Sequence, residues 1–500
     1  MTKTAADILR RSIERLQGVP MLVAAAIFTA GVLVFDHIDI NRLLLWPLFA
    51  AGCAAAALRP RTAAGKAGIC AALFLFGGIV WSIRTDRQTL PGNEPLLVEA
   101  EVADIPSERN GGRTSVPVRI LAFDDGSGSR TADTRVVMWS DSTLNTAFGD
   151  IITAFAEVHP FPDPQSWYPK LMTRRGYAGT MFVTAADTLS VSREAGRRTI
   201  HRIAAERFGR LNLSPQAAAT AGSMGAGDRS RMTPELREAY ALSGVSHILA
   251  VSGLHVGIIF LLANILFRPL AILRHGQIIA CAAVLVPVWL YAAAAGFPPS
   301  VVRAATMFSL FQLAKAFTAS YLSLNILAFT AIIMIAADPD TIFDIGFQLS
   351  FTAVAAIITV GRPLFRLLHL RNIALRYLWD TFVIGIVAFT ATAPLICHSF
   401  GRISAAGLIL NPLVILCACI IVSVSVLWIA APLAFMQPAV ETVLNLTAGV
   451  QNRAVEALAS FPQLSFELSL PTGATISIYL ILALVLFIMA GLDCDKKPYR

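Results

Sequence analysis

The sequence predicts a polytopic α-helical membrane protein with one small, extracytoplasmic β-barrel (OB-like) domain inserted in it. Of the 500 residues, 56% are hydrophobic and only 14% are charged, whereas a globular protein is about 45–50% apolar and about 25% charged. About ten or eleven apolar segments of near-spanning length recur from Val19 to Gly491. One stretch, from Arg84 to about Ser190, has instead the composition of a soluble domain.

Residues 1–83 are predicted to form three transmembrane helices, at about Val19–Phe35, Leu43–Leu58 and Ala67–Ile83. Basic residues before the first helix and between the second and third mark the cytoplasmic side, because Lys and Arg accumulate in cytoplasmic loops. The third helix then delivers the chain to the outer side. We therefore expect a multi-pass membrane protein in which residues 84–246 are extracytoplasmic and the basic loop 362–376 is cytoplasmic.

Residues 84–190 are predicted to form the β domain, because β-branched and polar residues alternate there between Gly- and Pro-rich turns. Five short strands favour a small barrel, and an OB-fold would suit, although a fold alone does not give a function. The candidate strands are Leu96–Ile105, Thr114–Phe123, Thr134–Trp139, Asp150–His159 and Tyr177–Thr184.

Residues 191–245 are predicted to be an amphipathic helical connector. Between Ser192 and Phe208, apolar residues recur at helical spacing while arginines occupy the other face. Such a helix can lie on the membrane surface, or it can pack on the soluble domain with its basic face in solvent.

Residues 246–491 are predicted to be a second transmembrane block, followed by a short polar tail at 492–500. One apolar run, Ala405–Ala431, contains Asn411-Pro412 and is either one crossing or a re-entrant pair. The first reading puts the tail outside and the second puts it inside. The predicted spans are His247–Phe267, Ile278–Ala295, Ser300–Phe317, Leu322–Ala336, Ile345–Val360, Thr381–Phe400, Ala405–Ala431 and Ile476–Ala490.

Composition excludes some kinds of site. Six of the seven cysteines lie in apolar runs, and none lies between Glu94 and Ser246, so the soluble part has neither a disulfide framework nor a CxxC metal pair. We expect no metal and no cofactor. The formal net charge of +8 is not by itself a sign of nucleic-acid binding, because basic cytoplasmic loops are general in membrane proteins.

Polar residues inside the predicted spans are the candidate functional residues, since each of them is costly in hydrocarbon without a partner or a hydrated lining. His247, Ser252 and His255 would share one broad sector of a helix that begins at His247, and Gly253 would permit close packing. The alternative reading is that these residues only join helices by hydrogen bonds.

Later spans add further candidates. Arg303 follows the start of its span closely enough to snorkel to the outer interface. Asp344 stands where it can cap a helix N-terminus, whereas Gln348, one turn later, has no such role. Ser350 lies near Gln348, and the remaining candidates, which could also form hydrogen bonds between helices, are His398 and Asn411.

Several strings in the second block resemble the ComEC-type competence protein family. The longest and most specific is GVSHILAVSGLHV at 244–256, which follows Gly227-Asp228-Arg229. The resemblance continues in GFPPSVVRA at 296–304 and DIGFQLSF at 344–351. The soluble part also resembles the family's extracytoplasmic OB-like domain, more weakly, around Tyr168–Lys170 and Arg174–Tyr177.

The resemblance implies a channel, not an enzyme, through which a single DNA strand crosses the inner membrane during natural transformation. It implies single-stranded DNA and membrane lipid as partners, a separate receptor, motor ATPase and nuclease, and a possible homo-oligomer. No catalytic residue is implied. The residues implied to line the DNA path are His247, Ser252, Gly253, His255, Arg303, Asp344, Gln348, Ser350, His398 and Asn411. The outer domain would bind DNA through Arg109, Arg113, Trp139, Trp167 and Tyr168, and the connector motif is Gly227, Asp228 and Arg229.

Two features of the sequence qualify this resemblance. Many family members carry a C-terminal metallo-β-lactamase-like domain, but the eight histidines here form no HxHxDH string, so nuclease activity is not expected. No GxxxxGK[ST] loop occurs either, so a separate protein would have to pull the strand.

Two other functions stay open at this point. Ser252 and His398 lie in different spans and could form the Ser–His dyad of an intramembrane hydrolase, although a rhomboid-like Gly-x-Ser-Gly would need Gly where Ala250 stands. The protein could also be a membrane scaffold whose outer domain binds a surface polymer.

Overall fold

The computed structural model describes residues 18–38, 42–83, 94–103, 106–109, 113–141, 144, 146, 149–161, 167–174, 176–192, 199–317, 323–368 and 370–492. Its first part contains three apolar helices, α1 (Pro20–Phe35), α2 (Arg42–Leu58) and α3 (Ala63–Ile83). Glycines let these helices approach closely, as they do in membrane helix pairs. A Cβ at Gly31 would collide with the carbonyl oxygen of Phe74, and one at Gly77 with that of Phe28.

The five predicted strands are all present, within a few residues of their predicted ends. The structure adds two short strands that the sequence pattern did not predict, one of three residues and one of five. The strands are β1 (Pro95–Val102), β2 (Ser107–Arg109), β3 (Arg113–Asp124), β4 (Ser129–Asp141), β5 (Ile151–His159), β6 (Tyr177–Val183) and β7 (Thr188–Ser192), with helix α4 (Trp167–Arg174) before β6.

The strands pair in an order that returns to its start. β1 pairs with β3, β3 with β4, β4 with β6, β6 with β5, and β5 again with β1. The β4–β6 pair is parallel and the others are antiparallel. Because side chains alternate between the two faces of a strand, one face of each of these five strands contributes to a buried apolar core that includes Leu96, Val118, Met138 and Ile152.

The connector contains three helices, α5 (Ile200–Gly209), α6 (Pro215–Gly225) and α7 (Pro234–Leu242). The buried face of α5 packs against helices of the second block. His201 is buried, with its Nδ1 2.7 Å from the Ala294 carbonyl oxygen. Arg207 donates to the Ile429 carbonyl oxygen at 2.6 Å, and Trp428 donates to the Arg207 carbonyl oxygen at 2.8 Å.

The second block continues with helices of very different length. Short 3-10 turns at Arg268–Ile272 and Pro339–Phe343 and a π-helical turn at Ile357–Gly361 join some of them. The helices are α8 (Ser246–Leu249), α9 (Gly253–Phe267), α10 (Gly276–Ala294), α11 (Pro299–Phe317), α12 (Ser323–Ala337), α13 (Ile345–Ala356), α14 (Arg362–Phe365), α15 (Ile373–Phe400), α16 (Ala406–Ala430), α17 (Gln437–Ala459) and α18 (Thr472–Leu492), and strands β8 (Arg402–Ser404) and β9 (Ser465–Glu467) form a separate pair.

Within the described part of the chain, five helices are long and apolar enough to cross a membrane, and five shorter apolar helices have 10–17 residues. The five longer segments are Ala63–Ile83, Gly253–Ile272, Gly276–Ala294, Ile373–Phe400 and Ala406–Ala430. Helices of this length and composition make the chain a polytopic α-helical membrane protein, as predicted.

The long apolar run at 405–431 is a single continuous helix, α16, with Pro412 inside it. It is followed by α17, a 23-residue helix that the hydropathy pattern did not reveal because polar residues interrupt it. Some of the polar residues of α17 face inward. Gln451 and Asn452 are fully buried or nearly so, and the Asn452 Oδ1 accepts hydrogen bonds from Thr220 (2.9 Å) and Tyr240 (2.7 Å). The connector helices α6 and α7 are thereby joined to the second block.

The N-terminal helices pack on the same block. Phe28 and Val32 of α1 share a buried cluster with Ile335 of α12 and Phe347 of α13. The three N-terminal helices are therefore packed beside α12 and α13, next to the 3-10 turn that joins those two helices.

Candidate functional site

The segment that carries the longest motif is a broken helix. α8 ends at Leu249, residues Ala250 and Ser252 have extended backbone, and α9 begins at Gly253. Ser is a favoured residue for the position that precedes a helix, which explains the restart. The prediction of one helix from His247 is therefore wrong. His247 lies on α8 and is exposed, whereas Ser252 and His255 lie at the start of α9.

His255 caps this new helix start. Its Nδ1 accepts a hydrogen bond from the backbone N–H of Ser252 at 3.1 Å. An accepting Nδ1 carries no proton, so the proton of a neutral ring is on Nε2. The side chain is completely buried, and its Nε2 has no hydrogen-bond partner among the described residues. The site therefore holds a buried donor that nothing described in the protein satisfies.

Helix α11 packs against the break between α8 and α9. The Ser300 hydroxyl donates to the Val251 carbonyl oxygen at 2.6 Å, which satisfies a backbone group that the broken helix leaves free. Gly253 lies against Ala304, where an added Cβ would be 3.5 Å from the Ala304 Cβ. The close approach predicted for Gly253 is thus present, between α9 and α11.

Arg303 connects α11 to the start of α13. Its side chain is about 5% exposed, with Nη1 3.4 Å from the Asp344 Oδ2 and Nη2 donating to the Gly346 carbonyl oxygen at 3.0 Å. The alternative of snorkelling to the interface is therefore wrong, because the guanidinium is held inside. Asp344 is the residue before α13, as expected for a cap, but its side chain faces Arg303 instead of the helix N–H groups.

Gln348 lies one turn into α13 and donates to the Ile342 carbonyl oxygen at 2.9 Å. The structure therefore packs Gly253, at the restart of the broken helix, against Ala304, the chain neighbour of Arg303, and it brings Arg303 together with the start of α13. We call the set of Ser252, His255, Arg303, Asp344 and Gln348 the polar cluster.

The other predicted path residues lie in different surroundings. Ser350 is half-buried on α13. His398 is exposed near the end of α15, and its Nδ1 is 2.9 Å from the Leu470 carbonyl oxygen. Asn411 lies on α16, with an Oδ1 that is buried and unpartnered within the described residues. No hydrogen bond joins His398 or Asn411 to the polar cluster in the part of the chain that is described.

The connector motif forms a turn that packs on the end of α10. Gly227 has a positive φ of 75°, and a Cβ there would be 2.9 Å from the Ala295 carbonyl oxygen, so only glycine fits without strain. The Asp228 carboxylate accepts from the backbone N–H of Ser230 at 2.9 Å and from its hydroxyl at 2.6 Å. Arg229 follows directly in this turn, whose contacts indicate a structural role.

A second candidate site lies on the outward face of the β domain. Trp139 of β4 lies opposite Phe182 of the parallel strand β6, and the Arg113 guanidinium carbon is 5.4 Å from the centre of the Phe182 ring. Phe182 is 45% exposed, so its ring is accessible from solvent. We call Arg113, Trp139 and Phe182 the aromatic patch.

The sequence reasoning named Arg113 and Trp139 but missed Phe182. The alternation of β6 contains the signal, since Met181 and Val183 face the core and Phe182 must face outward. The side chains of Arg109, Trp167 and Tyr168 lie outside the described part of the structure, and so does the tail beyond residue 492.

The arrangement of side chains also bears on whether the protein holds a metal ion or is a Ser–His hydrolase. In the described residues, no group of three His, Cys, Asp or Glu side chains could hold a metal ion. Among those same residues, no hydrogen bond joins Ser252 to His398. The histidine that does contact Ser252 is His255, and it does so through the backbone N–H instead of the hydroxyl. This is not the arrangement of a Ser–His nucleophile pair.

Comparison with known proteins supports the motif resemblance. An uncharacterized protein of Aquifex aeolicus (strain VF5) is 32% identical over 188 residues, which is 37% of this chain and 41% of that protein. ComE operon protein 3 of Bacillus subtilis (strain 168) is 27% identical over 205 residues, which is 41% of this chain and 25% of that protein. The chain thus matches less than half the length of these relatives. No solved structure matches it.

A family model described as Competence protein matches residues 224–492. This region is more than half of the chain. It begins near the end of α6 and includes the connector motif, the broken helix and every residue of the polar cluster. The chain therefore belongs to the competence protein family.

Proposed function

We propose that this protein is a channel of the bacterial inner membrane through which single-stranded DNA enters the cytoplasm during natural transformation. The observation that carries the proposal is the polar cluster at the broken helix inside the family region. Broken backbone at membrane depth is tolerated only where protein buries it or where it lines a hydrated cavity. A DNA strand carries a charge at every phosphate and needs such a hydrated, polar path.

The chemistry of the polar cluster suits a passing phosphate. His255 offers a buried Nε2–H donor, and phosphate oxygens are acceptors only. Arg303 supplies a positive charge that Asp344 partly balances, so the site attracts an anion without the strong trapping that an unpaired cation would cause. Conduction requires attraction that is weak enough for release.

We also propose that the β domain is an OB-like barrel that receives the strand on the outer side of the membrane. The strand order, which returns from β5 to β1 and contains one parallel pair, supports this assignment. The aromatic patch supplies a stacking surface beside a cation, which is the usual combination for sequence-tolerant binding of single strands. Binding would be weak, because a strand in transit must leave the patch.

A channel alone does not drive transport. We propose that a separate receptor delivers the DNA, that a separate motor ATPase pulls the strand, that a separate nuclease removes its complement, and that copies of the chain could assemble together. In this scheme residues 84–246 face the outside, where incoming DNA first meets the protein, and the chain itself performs no catalytic step.

The experiment that tests the proposal follows labelled DNA into the cytoplasm of a transformable host. Cells with this protein should accumulate the label in a nuclease-protected form, and cells without it should hold the label only outside the inner membrane. Equal entry in both strains would overturn the channel.

Two added measurements separate the rival functions. Covalent labelling of Ser252 by an active-site-directed serine probe would indicate a hydrolase instead. Binding of a surface polysaccharide but not of DNA by the full-length protein would indicate a scaffold.

A further inference from the structure

The β domain contacts the membrane-embedded part through Arg174, the last residue of α4. Its Nη2 lies 3.4 Å from the Asp36 Oδ2 at the end of α1, and its guanidinium carbon lies 3.5 Å from the centre of the Phe343 ring. The Arg174 and Asp36 side chains are only 19% and 16% exposed. One side chain thus contacts both the N-terminal helices and the family region at a largely dry junction.

On the outer side, Arg174 lies three residues before β6, the strand that carries Phe182 of the aromatic patch. Gly176, two residues later, has a φ of 91°, a conformation that favours glycine, and turns the chain directly into β6. β6 is the strand that carries Phe182 opposite Trp139. A displacement of Arg174 therefore displaces the start of the strand that presents the patch.

On the membrane side, Phe343 directly precedes a residue of the polar cluster. It is the last residue of the 3-10 turn Pro339–Phe343, and the next residue, Asp344, pairs with Arg303. The same turn supplies the Ile342 carbonyl oxygen that accepts from Gln348. The Trp81 ring of α3 contacts Phe343 edge-on at 6.3 Å between ring centres, which fixes the turn against the N-terminal helices.

We propose that Arg174 is a positioning residue that holds the aromatic patch in a fixed place relative to the polar cluster, so that a strand leaving the patch enters at Arg303. This inference rests on the proposed function. An arginine suits the position because its planar guanidinium can stack on a ring and pair with a carboxylate at the same time, whereas the compact ammonium of lysine keeps only the ion pair.

The test measures distance and transport separately, in the full-length protein. Spin labels at Leu189→Cys in the β domain and Ser460→Cys after α17, both exposed positions, report the placement of the domain in lipid nanodiscs, with the native cysteines replaced. The variants are Arg174→Ala, Arg174→Lys and, in case these fold poorly, Phe343→Leu. Arg130→Ala is the matched control, because it removes an exposed arginine and its ion pair to Asp125 from the same domain, away from the junction.

We expect Arg174→Ala to broaden the distance distribution and to lower DNA entry by roughly 3- to 30-fold, the range for a residue that couples two sites without touching the ligand. Single-stranded DNA should still bind the full-length protein with unchanged affinity. Arg174→Lys and Phe343→Leu should give intermediate effects, and Arg130→Ala should give none.

Two results would overturn the inference while leaving the channel intact. One is an unchanged distance distribution in Arg174→Ala, and the other is a broadened distribution with normal DNA entry. Absence of DNA entry with the wild-type protein would instead overturn the proposed function and, with it, the transport role of Arg174.

Discussion

At the scale of the residue, the proposed function gives His255 two roles, one in the fold and one toward the passing strand. One ring nitrogen accepts from the Ser252 backbone and so defines the start of α9, which leaves the opposite nitrogen as a donor in a buried place. Burying a donor without a partner costs about 1–3 kcal/mol. A second partner, absent from the described protein, would recover that free energy.

The two roles can be separated by substitution. His255→Asn places an amide oxygen near the position of Nδ1, so it keeps the cap and removes only the outer donor. We expect normal protein level and stability but greatly reduced DNA entry. His255→Leu loses the cap as well and should be about 0.5–2 kcal/mol less stable. Thermal unfolding in detergent and the uptake assay distinguish the two variants. Normal uptake with His255→Asn would remove His255 from the path.

The sequence could single out residues of the polar cluster as candidates but could not show how they are arranged. Intramembrane polarity alone singles out Ser252, His255 and Arg303, because each is expensive in hydrocarbon. It cannot show that Arg303 pairs with Asp344, since the partner lies 41 residues away and the pairing depends on how α11 and α13 pack. The snorkelling alternative failed for this reason.

At the scale of the element, the spacing of apolar residues predicted most of the strands and apolar helices. It failed where contacts with other parts of the chain determine whether a helix or strand forms. The five long strands have clear alternation, whereas three-residue β2 has too few residues to show any. The helix break at Ala250–Ser252 lies inside a continuous apolar motif, and hydrogen bonds from Ser300 and to His255 stabilise it. Helix α17 was not predicted because polar residues such as Gln451 and Asn452 interrupt the apolar residues of its buried face.

That polar face makes α17 sensitive to single substitutions. Asn452→Ala should leave the hydroxyls of Thr220 and Tyr240 without their common acceptor, at a cost of about 1–3 kcal/mol. Thr442→Ala on the exposed side of the same helix is the control and should change stability by less than about 0.5 kcal/mol. Thermal unfolding of the purified protein measures both. Equal effects would mean that the buried network adds no stability.

The aromatic patch gives a second prediction at this scale. Phe182→Ala should weaken binding of single-stranded DNA by about 1–3 kcal/mol, the usual value of one base stacked on a ring. Phe155→Ala, which removes an equally exposed phenylalanine from β5, should have no effect. Arg113→Ala should lower both the affinity and its dependence on salt. Fluorescence anisotropy with full-length protein at low salt tests all three. No binding by the wild type would leave the domain as a structural cap.

At the scale of the whole molecule, three parts meet around one turn. The N-terminal helices pack on α12 and α13, the β domain contacts the turn between those two helices through Arg174, and the polar cluster begins at the next residue. Local patterns could delimit these parts in the sequence. Their junction could not be predicted, because Asp36, Arg174 and Phe343 are separated by well over a hundred residues and carry no shared pattern.

The distribution of basic residues between successive loops predicts the orientation of the whole protein in the membrane. In intact cells that contain a variant without native cysteines, an impermeant thiol reagent should label Ser127→Cys strongly and should not label Arg371→Cys. The physical reason is the excess of Lys and Arg in loops that stay in the cytoplasm. Permeabilised cells, in which both positions should react, are the control. The reverse pattern in intact cells would invert the topology.

The break before α9 also has a consequence for the order of assembly. The carbonyl group of Val251 finds its donor in Ser300, 49 residues further along the chain. At about 5–20 residues per second, that donor leaves the ribosome roughly 2–10 s later. During this interval the break cannot settle in lipid without an unsatisfied backbone group. Helix α9 should therefore stay beside the insertion machinery until α11 arrives, so that the two helices enter the bilayer together.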